Sequence, residues 1–264
     1  MSNDHRLPLQ QAYFRFYAEL NDFLPPERRM VTFCHTFEMP TAVKDMIEAL
    51  GVPHTEVDVI LANGESVDFS YLVRDGDHIS VYPVFESLDI TPVLRLRPQP
   101  LRQPRFVLDT HLGRLAAYLR LLGFDTLYRN DYRDEELASI SSNERRILLT
   151  RDRGLLKRNQ VTHGYCLRTT QPRQQLLEVL RRFDLFNAIQ PFCRCLRCNG
   201  LLQKVSKEEV LERLPAEVRE EYDEYHICQE CGQVYWPGSH YRRMAQLVEE
   251  VRRAGEAHQS PASG

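Results

Sequence analysis

Two pairs of cysteines in the C-terminal part of this 264-residue chain have a spacing that suits a metal ion. The pairs, each of C-x-x-C form, are Cys195 with Cys198 and Cys228 with Cys231. Two such pairs can surround one Zn²⁺ ion tetrahedrally and leave no open coordination position. We therefore expect a structural zinc site in a ribbon over residues 190–245, with an acidic helical insertion between the pairs. Cys193 and His240 are alternative ligands, although the x-x spacing favours Cys195 over Cys193.

Three aspartates form a second candidate site. From residue 105 onward, short apolar segments alternate with amphipathic helical segments, which predicts βα units around a parallel sheet. Asp109 ends the first predicted strand, Asp134 opens the helix after the second, and Asp152 ends the third. Ligands of parallel sheets bind beyond the carboxyl ends of the strands, and carboxylates gathered there repel one another unless they share a cation. Hard oxygen ligands suit Mg²⁺ or Mn²⁺, which can activate a water for attack on a phosphodiester.

Each of these aspartates also has a structural interpretation. Asp134 could cap the helix that begins at DEELASI, and Asp109 could cap the helix that begins near Leu112. Asp152 could begin a turn in TRDRG. Their common position on one predicted sheet edge favours the metal site, for which Glu135 is a possible fourth ligand or else an exposed helix residue.

Basic residues are concentrated in the middle of the chain. Residues 101–200 contain 18 Lys and Arg against 10 Asp and Glu, whereas residues 1–100 contain 8 against 15 and residues 201–264 contain 8 against 12. Such a basic region suits a polyanion, although a solvated Arg-rich surface is the alternative. The residues predicted to contact phosphates are Arg114, Arg151, Arg153, Lys157 and Arg158, and Arg120 is expected in the same basic surface.

Residues 9–95 are expected to form a separate α+β domain. Two strand patterns precede a helix with Thr41 as its N-cap and Gly51 as its end, and further strands follow around an Asn63-Gly64 turn. This order, which closes on DGDHISVYP, resembles the β-grasp, ubiquitin-like fold of small sulfur-carrier proteins. The chain continues into SLDITPVLRLRPQP and lacks the terminal Gly-Gly of a carrier, which favours a binding or scaffolding role. Residues 93–104 are predicted to be a proline-stiffened linker.

Three further blocks carry a second resemblance: FVLDTHLGRLAAYLRLLGFDT, DEELASI and RRILLTRDRGLLKR. In this order they resemble the PIN-like ribonuclease domain at the C-terminus of the Mut-seven exonucleases, which also occurs as independent bacterial proteins. The resemblance extends to about residue 245, and the preceding β-grasp domain matches an architecture of bacterial members. It implies a doubly wound α/β nuclease domain over residues 104–186 and metal-dependent RNA cleavage, with the acidic positions at Asp109, Asp134 and Asp152.

The sequence thus predicts a ribonuclease, or alternatively a non-catalytic RNA-binding adaptor whose ubiquitin-like domain docks a protein partner. Aromatic residues in YWPGSHYRRM could stack on bases or pack around the ribbon. The N-terminus lacks the apolar core of a signal peptide and no apolar run is long enough to span a bilayer, so a cytoplasmic protein without membrane contact is expected. The tail after Arg253 is expected to be disordered.

Overall fold

A computed structural model of the chain describes residues 9–83 and 104–259. The described residues divide into two compact units. The first unit contains residues 9–83 and 152–166, and the second contains residues 104–151 and 167–259. Apart from residue 104, the predicted linker lies outside the described residues.

A five-stranded sheet forms most of the first unit. Its strands are β1 (Gln10–Phe16), β2 (Phe33–Phe37), β3 (Val57–Ala62), β4 (Glu65–Val67) and β5 (His78–Pro83). The strand order is β2-β1-β5-β3-β4, in which β1 and β5 are parallel and the other pairs antiparallel. Helix α1 (Val43–Ala49) buries Val43, Met46 and Ile47. This mixed sheet with one helix confirms the predicted β-grasp arrangement.

The turns of this unit were predicted correctly, but the start of α1 was not. Gly51 ends the helix at φ +108°, and Asn63 and Gly64 both have positive φ, as a tight hairpin turn requires. The N-cap is Ala42 instead of Thr41. Ala42 forms an antiparallel bridge with Leu72, which keeps the chain extended for one residue longer before the helix begins.

Residues 152–166 belong to the first unit although they lie far from it in sequence. They contain the short helix α4 (Arg153–Leu156) and the strand β9 (Gly164–Cys166). The backbone N–H of Cys166 donates to Oε1 of Glu56 at 2.5 Å, and the Glu56 side chain is fully buried. His54 Nε2 lies 2.8 Å from the carbonyl oxygen of Val161. A buried carboxylate and an imidazole therefore hold this segment against the residues that follow α1.

The second unit begins with a parallel sheet. Strand β6 (Phe106–Leu108) pairs in parallel with both β7 (Thr126–Tyr128) and β8 (Ile147–Thr150). The helices of this region are α2 (Gly113–Leu121), α3 (Asp134–Glu144) and α5 (Pro172–Arg182). Phe106, Leu108, Leu115 and Leu119 are fully buried. The alternation of strands and helices confirms the predicted parallel α/β fold, which aligns the carboxyl ends of the strands.

A three-stranded antiparallel ribbon follows in the second unit. It consists of β10 (Leu202–Val205), β11 (Tyr225–Cys228) and β12 (Val234–Tyr235). The predicted helical insertion is present between β10 and β11 as α6 (Lys207–Val210) and α7 (Ala216–Glu221).

The chain continues into the 21-residue helix α8 (Ser239–Gln259). The predicted disorder after Arg253 is therefore wrong for residues 254–259, where a buried Gly255 lets the helix approach the ring of Phe186. None of the helices in the described ranges combines the length and the apolar character needed to cross a bilayer.

Candidate active site and metal centre

Asp109 lies directly after β6, at the carboxyl end of the parallel strands. Its side chain is largely buried, and the residue is 7% exposed. Oδ2 accepts the hydroxyl of Thr150 at 2.5 Å, and Oδ1 accepts the backbone N–H of Thr110 at 2.6 Å. The closest basic group is the imidazole of His111, whose Nε2 lies 3.7 Å from Oδ2. Among the described residues no Lys or Arg forms an ion pair with Asp109, so a buried carboxylate is surrounded mainly by oxygen and amide groups.

Sequence reasoning missed two neighbours of this carboxylate, Thr150 and His111. Leu108 is in register with Leu149, so that the next residues along each strand, Asp109 and Thr150, are brought side by side. Thr150 could have been found from the sequence, because it is a polar residue at the end of an otherwise apolar parallel strand. No comparable pattern distinguishes His111, which follows in the loop before α2.

The other two predicted acidic residues have different surroundings. Asp134 is the first residue of α3 and is partly exposed. The N-cap of this helix is Arg133, and its backbone N–H donates to the carboxylate of Glu136. Asp152 is exposed and caps α4, because its Oδ1 accepts the N–H groups of Gly154 at 2.7 Å and Leu155 at 3.4 Å. Asp152 is thus a helix N-cap, whereas the structural alternative predicted from the sequence was the start of a turn.

Within residues 9–83 and 104–259, one group of three or more Cys, His, Asp and Glu side chains is close enough to share a metal ion, and it consists of the four cysteines. Asp109 and Asp134 belong to the second unit and Asp152 to the first, so a cation shared by all three aspartates stays a prediction. Glu135, the possible fourth ligand, is exposed on α3.

The residues predicted to contact phosphates differ in how freely they are available. Three of them are exposed, namely Arg114, Arg151 and Arg153, and the other two, Lys157 and Arg158, are half-buried. Lys157 donates from Nζ to the carbonyl oxygen of Glu48 at 2.5 Å. Arg153 donates to the carbonyl of Phe23 at 3.3 Å, and its guanidinium lies 4.8 Å from the centre of that ring. Lys157 and Arg153 therefore already stabilise the first unit.

The four predicted cysteine ligands converge at the ribbon. Their sulfur atoms all lie within 4.8 Å of one another, with Cys195 and Cys231 3.6 Å apart and Cys198 and Cys228 3.3 Å apart. Four thiols in this arrangement, with no other ligand in the group, have the geometry and chemistry of a closed metal site. The paired x-x spacing is confirmed, because Cys193 lies outside the group and donates to the carbonyl of Gln190. His240 also lies outside it, exposed at the start of α8.

Local hydrogen bonds adjust the acidity of these thiols. Burial alone would raise the pKa of Cys195, but hydrogen bonds from the Tyr235 hydroxyl and from nearby backbone amides lower it to about 7. Burial and the neighbouring thiols raise the pKa of Cys198 to about 12. A cation within the cluster removes this mutual repulsion, since a coordinated thiol is deprotonated outright. The donor set therefore fits a divalent metal.

Asn199 connects the first cysteine pair to the parallel sheet. Its backbone is left-handed, with φ +77°, and its Oδ1 accepts the N–H of Thr126 at 2.9 Å. Its Nδ2 donates to Asp125, which forms an ion pair with Arg146 at 2.7 Å. Burial raises the pKa of Asp125, but the hydrogen bonds from Arg146 and Asn199 outweigh this effect and hold the pKa below its ordinary value.

Arg120 supports the same junction and is not a surface charge as the sequence suggested. It is 4% exposed and donates to the backbone carbonyls of Thr126, Leu196 and Arg197. Burial in this position lowers its pKa. These contacts are made at the amino end of β7, whereas Asp109 lies at the carboxyl end of the parallel neighbour β6. The ribbon is thus anchored at the end of the sheet opposite to Asp109.

Comparison with known families agrees with this architecture. The family model of the Mut7-C RNAse domain matches residues 104–248, which is more than half of the chain. The chain belongs to the Mut7-C RNAse domain family. The Mut7-C ubiquitin model matches residues 9–89, so that the two Mut7-C regions follow one another in the order that the sequence resemblance implied. No curated protein and no solved structure matches the chain. Membership in the Mut7-C family supports a nuclease-type function in general.

Proposed function

We propose that this protein is a metal-dependent ribonuclease that hydrolyses RNA phosphodiester bonds at the carboxyl end of β6 and β8. The RNAse description of the family, which covers the whole parallel sheet, supports the reaction and the substrate class. The observation that carries the assignment to this edge is the buried carboxylate of Asp109, which has no Lys or Arg ion-pair partner among the described residues. Burying a carboxylate is costly unless a cation or several donors compensate for it.

In this proposal Asp109, Asp134 and Asp152 would hold Mg²⁺ or Mn²⁺. Carboxylate oxygens are the ligands that such hard cations prefer. The ion lowers the pKa of a bound water and stabilises negative charge on the phosphate. Thr150 positions Asp109 through its hydroxyl, and the exposed imidazole of His111 lies 3.7 Å from the same carboxylate, where it can act as a general acid or base.

Zinc at the four cysteines would stabilise the ribbon and take no part in the reaction, because four thiolates leave no position for water or substrate. Arg114 and Arg151 are the exposed cations that would guide the RNA backbone. Arg153, Lys157 and Arg158 would contribute less, since the first two already bind carbonyl groups and Arg158 is half-buried with contacts of its own. We place the protein in the cytoplasm, where its free cysteines stay reduced.

A second candidate is a non-catalytic RNA-binding adaptor. It is favoured by the geometry of Asp152, whose carboxylate caps α4, and by the uses of Arg153 and Lys157 within the first unit. In either case the ubiquitin-like domain is proposed to bind a protein partner. Within residues 9–83, five large hydrophobic side chains are exposed, namely Leu9, Met30, Val31, Met39 and Leu72.

Cleavage of a single-stranded RNA with and without Mn²⁺ tests the proposal. Asp109→Asn is expected to lose activity by at least about 100-fold, and Thr150→Val by roughly 10- to 100-fold, the range for a residue that positions a metal ligand. Asp131→Asn is the matched control, because Asp131 is exposed and paired with Arg129. Equal cleavage by wild type and Asp109→Asn would contradict the assignment. If the wild type does not cleave RNA but binds it in a salt-dependent way that Asp109→Asn retains, the adaptor function is correct.

A further inference from the structure

A cavity beside the ribbon has no role in the proposed cleavage reaction. It lies within the second unit and has a volume of about 110 Å³. Four aromatic rings form much of its wall, from Phe192, Tyr235, Trp236 and Tyr241, and Arg194 and His226 also line it. Such a concentration of aromatic surface around an open space is typical of a binding pocket.

Phe192 is held in a strained backbone conformation at this cavity. Its φ is +63°, a region that bulky residues rarely adopt. Its N–H donates to the carbonyl of Leu121 at 2.9 Å, and its ring centre lies 4.4 Å from that of Tyr241. Strain of this kind persists where the surrounding structure imposes it, and it is concentrated at ligand-binding sites.

Polar groups on the rings of the wall are available to a ligand. Across the described ranges no hydrogen bond is made by the imidazole of His226, the indole N–H of Trp236 or the hydroxyl of Tyr241. By contrast, the hydroxyl of Tyr235 already bonds the Cys195 sulfur and the N–H of Leu196. The cavity therefore combines apolar faces for stacking with one obligatory donor, the indole, and two groups that can donate or accept.

Arg194 adds a fixed positive charge to the wall, whereas the carboxylate of Glu224, which also lines the cavity, is paired with Lys204 at 3.2 Å. The Nε of Arg194 donates to the carbonyl of Gly123 at 3.0 Å, and its Nη1 donates to that of Asn199 at 3.1 Å. These bonds fix the plane of the guanidinium. A phosphate attached to a ligand in the cavity would therefore meet a cation whose position does not need to be ordered on binding.

We propose that this cavity binds one unpaired pyrimidine base of single-stranded RNA. This inference rests on the proposed function, in which RNA is the substrate, and adds that the cavity selects which base of the RNA is bound. The volume of about 110 Å³ is smaller than that of an engineered cavity of about 150 Å³ that holds benzene, so there is no room for two fused rings and at most a single ring enters through the open side. Unstacked bases of single-stranded RNA bind between aromatic side chains. A pyrimidine offers a ring carbonyl oxygen to the indole N–H of Trp236.

Fluorescence provides a direct test, because Trp236 is the only tryptophan in the chain. The full-length, zinc-loaded protein is titrated with UMP, CMP, AMP and GMP, without added Mn²⁺. Saturable quenching is expected with UMP or CMP at lower concentration than with AMP and GMP. Tyr241→Ala is expected to weaken binding by roughly 5- to 150-fold, the range for loss of one stacked base. Tyr132→Ala, which removes a half-buried tyrosine outside the cavity, is expected to leave binding unchanged.

Two further variants make the result decisive. Tyr241→Phe keeps the ring and is expected to retain most of the affinity, which separates loss of stacking from a folding defect. Asp109→Asn is expected to bind the nucleotides normally, so that a failure of the proposed cleavage reaction leaves this test intact. Absence of saturable quenching, equal affinity in Tyr241→Ala, or tighter binding of purines than of pyrimidines would each overturn the proposal.

Discussion

The ion pair between Asp125 and Arg146 gives the most quantitative prediction for the stability of the second unit. The side chain of Arg146 is 6% exposed and that of Asp125 is 22% exposed, and the guanidinium contacts both carboxylate oxygens, at 2.7 and 3.3 Å. Asp125→Asn removes the negative charge and keeps the size of the side chain. Removing one partner of a buried pair costs roughly 3–5 kcal/mol when the remaining charge has no other partner.

Here Arg146 keeps a second partner, Glu144, whose carboxylate lies 2.7 Å from Nε. We therefore expect a loss near that of a charged hydrogen bond, about 2–3 kcal/mol in the free energy of unfolding. For a protein of this size, such a loss lowers Tm by roughly 4–12 °C. The matched control is Asp131→Asn. Asp131 also forms a two-point contact with an arginine, Arg129, but the two side chains are 64% and 56% exposed, so Asp131→Asn is expected to leave the stability essentially unchanged.

Urea unfolding monitored by circular dichroism measures both variants, and pH supplies an independent check. The pKa of Asp125 in the folded protein lies below its unfolded value of about 3.9. Its stabilising contribution is therefore fully present above that value and is lost as the pH falls through the folded pKa. The difference between wild type and Asp125→Asn should shrink accordingly in acid. Equal stability of Asp125→Asn and Asp131→Asn at neutral pH would show that burial of the Asp125–Arg146 ion pair does not stabilise the protein.

Three further outcomes are expected. Cys198→Ser should abolish zinc retention and unfold the ribbon, whereas Cys193→Ser should retain one zinc per chain by metal analysis; equal zinc contents would contradict the ligand assignment. Arg151→Gln should weaken RNA binding and lower by about 1 the magnitude of the slope of log K against the logarithm of the salt concentration. Lys157→Gln should mainly lower stability. A larger change of this slope in Lys157→Gln than in Arg151→Gln would reverse these roles. Glu56→Leu should destabilise the protein by about 1–3 kcal/mol and speed hydrogen exchange of the backbone amide that Glu56 binds, and unchanged exchange would refute this contact.

Local patterns in the sequence predicted the parts of the fold that depend on short-range rules. The strands, the Asn63-Gly64 turn and the end of α1 at Gly51 follow from alternation and from backbone preferences that these residues carry with them. The two C-x-x-C pairs were also sufficient to predict the four-cysteine site, because a ribbon brings such pairs together whatever the length of the insertion between them. The start of α1 was misplaced because a bridge between Ala42 and Leu72, which are distant in sequence, keeps Ala42 extended before the helix begins.

The features that sequence reasoning missed depend on contacts between distant segments. Arg120 resembles any surface arginine in a basic helix, yet it is buried because the backbone carbonyls of the first cysteine loop surround it. The roles of Lys157 and Glu56 depend on the packing of residues 152–166 within the first unit, which no pattern of charge or periodicity encodes. His111 was missed because a single histidine in a loop carries no spacing signal.

Direct measurement of Mn²⁺ binding tests whether Asp109 belongs to a metal-dependent active site. Zinc-loaded wild type and Asp109→Asn are titrated with Mn²⁺, and free ion is measured by electron paramagnetic resonance. We expect one bound Mn²⁺ per wild-type chain and loss of that ion in Asp109→Asn. Absence of Mn²⁺ binding by the wild type, or equal binding by both proteins, would contradict this expectation.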